Sequence, residues 1–194
     1  MNSKEGALIM IRNATKNDCE QAAVLIYDAI HDIAHALTGE LDKQNVLKQL
    51  EVFYCQEMNR LSYRNCLIKS VDDQVVGIVI VYHGKDAQQL DEPILAHLQA
   101  KNPKNNLVID KEADETDFYI DTVSVNPQFS GRGFGTELLN AAIEKARQLG
   151  YSTVSLNVEE NNQKARRLYE RLGFMYKKEI MINNHVYAYL VKQI

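Results

Sequence analysis

Apolar residues recur at Ala22, Leu25, Ile26, Ala29, Ile30, Ile33 and Leu37, the spacing of one helix face. Thr15-Lys16-Asn17-Asp18 offers caps before this run, and Gly39 ends it. A second helix is predicted over 41–59, carrying Val46, Leu47, Leu50, Phe53, Tyr54 and Met58. The short apolar run Leu8–Ile11 reads as a first or edge strand. Cys66–Val71 and Val75–Tyr82 read as two strands joined at Asp72-Asp73. The second of these is β-branched and apolar on both faces, as a central strand would be. Residues 84–116 hold Pro93 and Pro103 with much Asn, Asp and Lys, and a short helix is predicted over Ile94–Ala100. This segment reads as an insertion that covers a site. It is not a domain boundary, because the strand after it must return to the same sheet.

The second half is more explicit. Phe118–Val125 reads as a strand broken by Asn126-Pro127, followed by a glycine-rich loop from Ser130 to Gly135. Leu138, Leu139, Ala142, Ile143, Ala146 and Leu149 then mark an amphipathic helix ended by Gly150. Thr153–Val158 is a strand, and Asn161 and Asn162 cap a helix running through Arg171 to Gly173. Phe174–Ile182 and His185–Val191 form a hairpin across Asn183-Asn184. Strand, helix, helix, three strands, helix, strand, helix, two strands describes a mixed α/β sheet in one domain over 1–194.

Composition narrows the function classes. With 45% hydrophobic and 25% charged residues, the 194-residue chain is neither disordered nor membrane-spanning by composition. A net charge of −4 disfavours a nucleic-acid partner. Met1–Ile11 has one Lys and no long apolar stretch, so no secretory leader is expected. Cys19, Cys55 and Cys66 form no CxxC pair and no zinc pattern. Reduced thiols in a cytoplasmic protein are the expectation.

A strand, a glycine loop and a helix N-terminus together make an anion site, because successive N–H groups point at one spot. The dinucleotide fingerprint is not met: after Gly131 and Gly133 the next glycine position is Thr136, and no acidic residue follows at the ribose distance. The phosphate-loop Gly-Lys-Ser/Thr is absent. A tight turn that merely joins strand to helix is the alternative for the loop taken alone.

The run VSVNPQFSGRGFGTELLNAAIEKARQLG, then VSLNVEENNQKARRLYERLGF, resembles the GNAT family of acyl-CoA N-acyltransferases. One motif is the R/Q-x-x-G-x-G/A loop after a strand ending V-x-P. The other is N-x-x-A-x-x-L-Y-x-x-x-G-F, matched from Asn162 through Ala165, Leu168, Tyr169 and Gly173 to Phe174. Ser130 stands where that family usually has Arg or Gln, with Arg132 two residues on.

The resemblance implies a mostly antiparallel sheet of six to seven strands, about four flanking helices, and an insertion between the third and fourth strands. It implies acetyl-CoA or coenzyme A as cofactor, held by the 117–194 half through Val123, Ser124, Val125, Ser130, Gly131, Arg132, Gly133, Phe134, Gly135, Thr136, Asn157, Asn162, Ala165 and Tyr169. The loop would take the pyrophosphate, and the preceding strand would splay from its neighbour and offer the backbone of Val123 and Val125. Tyr169 matches the family's general acid, with a half-buried helix aromatic as its plain alternative. Asp121 is the best-placed carboxylate for a general base, two residues before Val123 on the same face of a regular strand. Tyr119 shares that face. The 1–83 half would wall the acceptor pocket, with Tyr27, His31 and Tyr54 touching substrate and 84–116 as a lid.

His31 and His35 are four apart, a spacing that can bind zinc, yet no third ligand is evident and no metal is expected. The acidic run Asp110, Glu112, Asp114, Glu115 and Asp117 reads either as a solvated loop or as an attraction for a cationic amine. The cysteines read as small buried residues. An N-acetyltransferase acting on a small-molecule or peptide amine in a ternary complex is the expected function. The competing expectations are an acyl-CoA sensor without turnover, an interaction protein with no CoA site, and a nucleotide-dependent enzyme. Dimers are common among proteins of this kind, so a homodimer is one expected state.

Overall fold

The computed structural model describes residues 7–103 and 108–194. Residues 1–6, read above for a leader, and 104–107 of the insertion lie outside the described residues. Seven strands form one sheet: β1 (Ile9–Asn13), β2 (Cys66–Val71), β3 (Gln74–His83), β4 (Phe118–Val125), β5 (Thr153–Glu159), β6 (Met175–Ile182) and β7 (His185–Gln193). Their order is β1-β2-β3-β4-β5-β7-β6, and every neighbouring pair is antiparallel except β4–β5. The two hairpins turn where short polar side chains tolerate a left-handed backbone: Asp72 and Asp73 at φ 48° and 63°, Asn183 and Asn184 at φ 48° and 64°.

Among the described residues six α-helices cover the sheet: α1 (Cys19–Ile30), α2 (Asp32–Thr38), α3 (Lys43–Cys55), α4 (Ala87–Lys101), α5 (Phe134–Gln148) and α6 (Gln163–Arg171). β3 is buried on both faces and so feeds both cores. Ile78 and Ile80 meet Ala22, Ile26, Leu50 and Phe53 of the first two long helices, with Ile94 and Leu98 of α4. Val79 and Val81 meet Leu138, Leu139 and Ala142 of α5 on the other face.

Two helices depart from the expected elements. The single helix expected from Ala22 to Leu37 breaks at His31, whose φ of 40° and ψ of −109° no helix accommodates. The contacts that favour the break come from far along the chain: Asn183 Nδ2 donates to Asp32 Oδ2 at 3.0 Å, and His185 Nε2 lies 3.2 Å from the same oxygen. The short helix expected over Ile94–Ala100 is instead the fifteen-residue α4, which runs through Pro93. A proline at its seventh position forfeits one backbone hydrogen bond. The helix nevertheless buries Asp91 as well as Ile94 and Leu98.

Candidate active site

β4 and β5 stay paired over only three positions, Phe118↔Val154, Tyr119↔Ser155 and Ile120↔Leu156. Beyond these, β4 runs on to Val125 and β5 to Glu159, so the strands part. A cavity of about 200 Å³ occupies the parting, walled by Thr122 and Val123 on one side, Asn157 on the other, Asn162 at the cap of α6, and Ala165 and Tyr169 from α6.

A bulge aims the residues of β4 into this space. Ile80 pairs with Thr122 and Val81 with Ile120, which leaves Asp121 as the extra residue. The strand's phase flips there. Phe118 and Ile120 before it, and Val123 and Val125 after it, all pack on the α5 side. Asp121 turns to the opposite side, where the Tyr82 hydroxyl donates to Oδ1 at 2.9 Å. The regular alternation expected to place Asp121 and Val123 on one face is therefore interrupted.

The cavity floor is a buried charge cluster around Arg60, which is 3% exposed. Its loop is pinned from both flanks: Asn59 Nδ2 donates to the Phe53 carbonyl at 2.8 Å, and Arg60 N donates to the Leu90 carbonyl at 3.2 Å. The guanidinium pairs with Asp121, lies 2.8 Å from Glu112 Oε1 through Nη2, and lies 3.5 Å from Asp91 Oδ1 through Nη1. One cation thus faces three carboxylates. Burial, aided by Asp121 and opposed by Arg60, pushes the Asp91 carboxyl up to about 6. Burial and Asp121 likewise hold Glu112 above the usual carboxylate range, against Arg60 and the Tyr119 hydrogen bond. The Tyr119 hydroxyl donates to Glu112 Oε2 at 2.9 Å and accepts from Asn157 Nδ2 at 2.8 Å. Asn157 Oδ1, which belongs to a cavity-lining residue, has no partner among the described residues.

At the outer end of the gap lies the glycine turn. Gly131 and Gly133 take φ of 78° and 82°, and nothing lies within 4 Å of where their side chains would be. The backbone conformation, not crowding, demands glycine there. Gly133 caps α5, and the first backbone bond of that helix runs from Glu137 N to the Gly133 carbonyl at 3.0 Å. The N–H groups of Phe134, Gly135 and Thr136 have no partner among the described residues. Gly135 abuts Val125 and Leu168, which joins the turn to β4 and α6. Tyr169 is 7% exposed, and burial raises its phenol to about 12. Its hydroxyl makes no hydrogen bond to the described residues.

A family model, the acetyltransferase (GNAT) family, matches residues 30–174. The chain belongs to the GNAT acetyltransferases. A solved acetyltransferase is 29% identical, with a TM-score of 0.81 over 95% of this chain and 99% of that one. An N-acetyltransferase from Staphylococcus aureus Mu50 is 27% identical, with a TM-score of 0.81 over 94% and 100%. An uncharacterized N-acetyltransferase of Methanocaldococcus jannaschii is 44% identical over 61 residues, 31% of this chain and 27% of the relative. That match thus spans about a quarter of the curated relative's length.

Among the GNAT positions named from sequence, Val123, Asn157, Asn162, Ala165, Tyr169, Tyr119, Asp121 and His31 all line the cavity. Ser124 and Val125 do not; they continue β4 toward the turn. Asn162 also caps α6, its side chain accepting from Ala165 N at 3.1 Å. Arg132 lies over the Phe129 ring, 4.9 Å from its centre. Tyr54 is corrected: it is wholly buried in the core between helices and sheet, its hydroxyl has no partner among the described residues, and it does not line the cavity. Burial pushes that phenol far up. Tyr27 is likewise turned away, toward His35 at 3.4 Å and beneath Lys43. The helix break also separates His31 from His35, whose Nδ1 lies 2.9 Å from the Glu40 carbonyl oxygen. No group of three or more His, Cys, Asp or Glu gathers to hold a metal among the described residues.

The acidic run 110–117 is a loop solvated only in part: Asp110 and Glu115 are exposed, whereas Asp117 is buried. Asp110 accepts from Asn183 N, Asp114 pairs with Lys177 and Lys178, and Asp117 accepts from the Tyr189 hydroxyl at 2.7 Å. Glu112 of that run and Arg60 are the site residues that sequence reading missed. The acidic run was the signal for Glu112, whereas Arg60 has no motif around it.

Proposed function

We propose that the protein is an acetyl-CoA-dependent N-acetyltransferase that acts on a small-molecule or peptide amine by direct attack in a ternary complex. The observation that carries this reading is the parting of β4 from β5 above the glycine turn, with Tyr169 on its wall. The residues fit the cofactor. The free N–H groups from Phe134 to Thr136, at a helix N-terminus, suit a pyrophosphate. The unladdered backbone of β4 and the unpartnered Asn157 Oδ1 suit an amide-bearing arm. Bound acetyl-CoA supplies the activated acyl group. The Val123 N–H would donate to the acyl oxygen, where a positioned donor is worth about 10²–10³ in rate. Tyr169, protonated throughout the physiological range, gives a proton to the departing sulfur.

A thermal-shift titration with acetyl-CoA, CoA, ATP and NAD tests the ligand. At 100 times the dissociation constant, acetyl-CoA and CoA should stabilise the fold by about 2.7 kcal/mol, and ATP and NAD should not. No shift with either CoA species would remove this function. Turnover is then read as free-thiol release from acetyl-CoA with spermidine, lysine and an alanyl peptide as acceptors. Binding without turnover of any amine would leave a sensor in its place.

A further inference from the structure

A second cavity, about 370 Å³, lies behind the floor of the first. Arg60 and Glu112 line both cavities, whereas Asp121 lines only the first and Asp91 only the second. The Arg60–Glu112 ion pair thus belongs to the walls of both. Four carboxylates line the first cavity. Asp32 and Glu159 are 60% and 36% exposed and lie against His185, and the two buried ones, Asp121 and Glu112, differ in what they have left to offer. Asp121 Oδ1 is filled by Arg60 and by the Tyr82 hydroxyl, and Oδ2 accepts from Thr122 Oγ1 at 3.1 Å, which leaves Asp121 one lone pair. Glu112 Oε1 faces Arg60, and among the described residues Oε2 accepts only from Tyr119, so each oxygen keeps a lone pair that these contacts do not use.

Tyr119 itself faces the first cavity, with its hydroxyl between Asn157 Nδ2 and Glu112 Oε2. A proton arriving at the Tyr119 oxygen from the cavity can therefore be matched by the phenolic proton passing to Glu112. We propose that Glu112, rather than Asp121, accepts the proton that leaves the attacking nitrogen, directly or through the Tyr119 hydroxyl, and discharges it into the second cavity. This rests on the acetyl-transfer function proposed above. The balance is simple. The amine nitrogen bonds to the acyl carbon, the carbon–sulfur bond breaks, and the nitrogen's proton goes to Glu112. The sulfur takes a proton from Tyr169, and exchange with water restores both side chains.

The groups that face Glu112 set its titration. They are Arg60 from the loop before β2, Tyr82 on β3, Tyr119 and Asp121 on β4, and Tyr187 on β7, while Asp91 on α4 shares Arg60 and the second cavity with Glu112. A buried carboxyl among other carboxylates binds its proton more tightly than an exposed one, which suits a base working near neutrality.

The test is the pH dependence of kcat for the full chain with acetyl-CoA and the best amine of the thiol-release screen. Glu112→Gln, Asp121→Asn and wild type are compared, and CoA affinity is measured calorimetrically for each. Glu112→Gln should lower kcat at neutral pH by about 10²-fold or more, abolish the acid limb, and leave CoA affinity unchanged. Asp121→Asn should keep an acid limb and move it to lower pH, because a negative neighbour of Glu112 is gone. Retention of the acid limb in Glu112→Gln with its loss in Asp121→Asn would overturn the proposal and make Asp121 the base. A uniform fall at every pH in Glu112→Gln would also overturn it, as the mark of a structural role. A wild type that binds CoA and acetylates no amine would instead overturn the function on which the proposal rests.

Discussion

Tyr169 and Asp91 are both buried ionisable groups, and burial has opposite uses in them. For Tyr169 it keeps the phenol protonated to about pH 12, so its proton is available at any pH the protein tolerates. Tyr169→Phe should lower kcat by roughly 10²-fold with CoA affinity unchanged, read by thiol release and calorimetry. No alkaline limb should come from this residue below about pH 11. For Asp91, the folded state raises the carboxyl from 3.8 to about 6. Between those values the folded chain holds a proton that the unfolded chain has lost, so stability falls as pH rises through this window. The difference corresponds to about 3 kcal/mol at neutral pH. Asp91→Asn should therefore be more stable than wild type at pH 8 in urea unfolding, with the advantage gone at about pH 4. Arg60 is the opposite case. Arg60→Leu strands three carboxylates beside one another and should cost about 3–5 kcal/mol at neutral pH, with partial recovery in acid.

Among the elements, Gly84 shows how closely the insertion is laid on the sheet. A methyl group there would lie 2.0 Å from the Asp114 carbonyl oxygen, while Gly84 N donates to the Asp117 carbonyl at 2.8 Å. Gly84→Ala must push the acidic arm outward and should cost about 1–3 kcal/mol, a Tm loss on the order of 5 °C in calorimetry. Elements whose reasons are local were legible in the sequence. The Asp-Asp and Asn-Asn hairpins, the β-branched β3, the glycine turn and the Asn162-capped α6 each carry their own cause. What escaped has causes elsewhere. Asp32, the residue after the break at His31, is met by Asn183 from 151 positions away. The bulge at Asp121 depends on register with β3. The helical stripe of Val46, Leu50, Phe53 and Tyr54 is legible in the sequence, but periodicity does not say whether a stripe faces core or cavity, and here it faces the core. Arg60 is recognisable only by the carboxylates that the fold brings to it.

At the scale of the whole molecule, the two halves of the sheet share little backbone. Side chains carry much of the union: the acidic arm reaches β6 and β7 through Asp114 and Asp117, and Asp32 meets the hairpin at Asn183 and His185. Three residue pairs join β4 to β5. A ligand lying in the gap would serve as the rungs that this ladder lacks. Its signature should then spread beyond its own contacts. Amide hydrogen exchange along β4 and β5 should slow together when CoA is added, including at Val154 and Ser155, which line neither cavity, while the β1–β2 edge stays as before. Slowing confined to the glycine turn would mean that the ligand sits on the protein without mending its sheet.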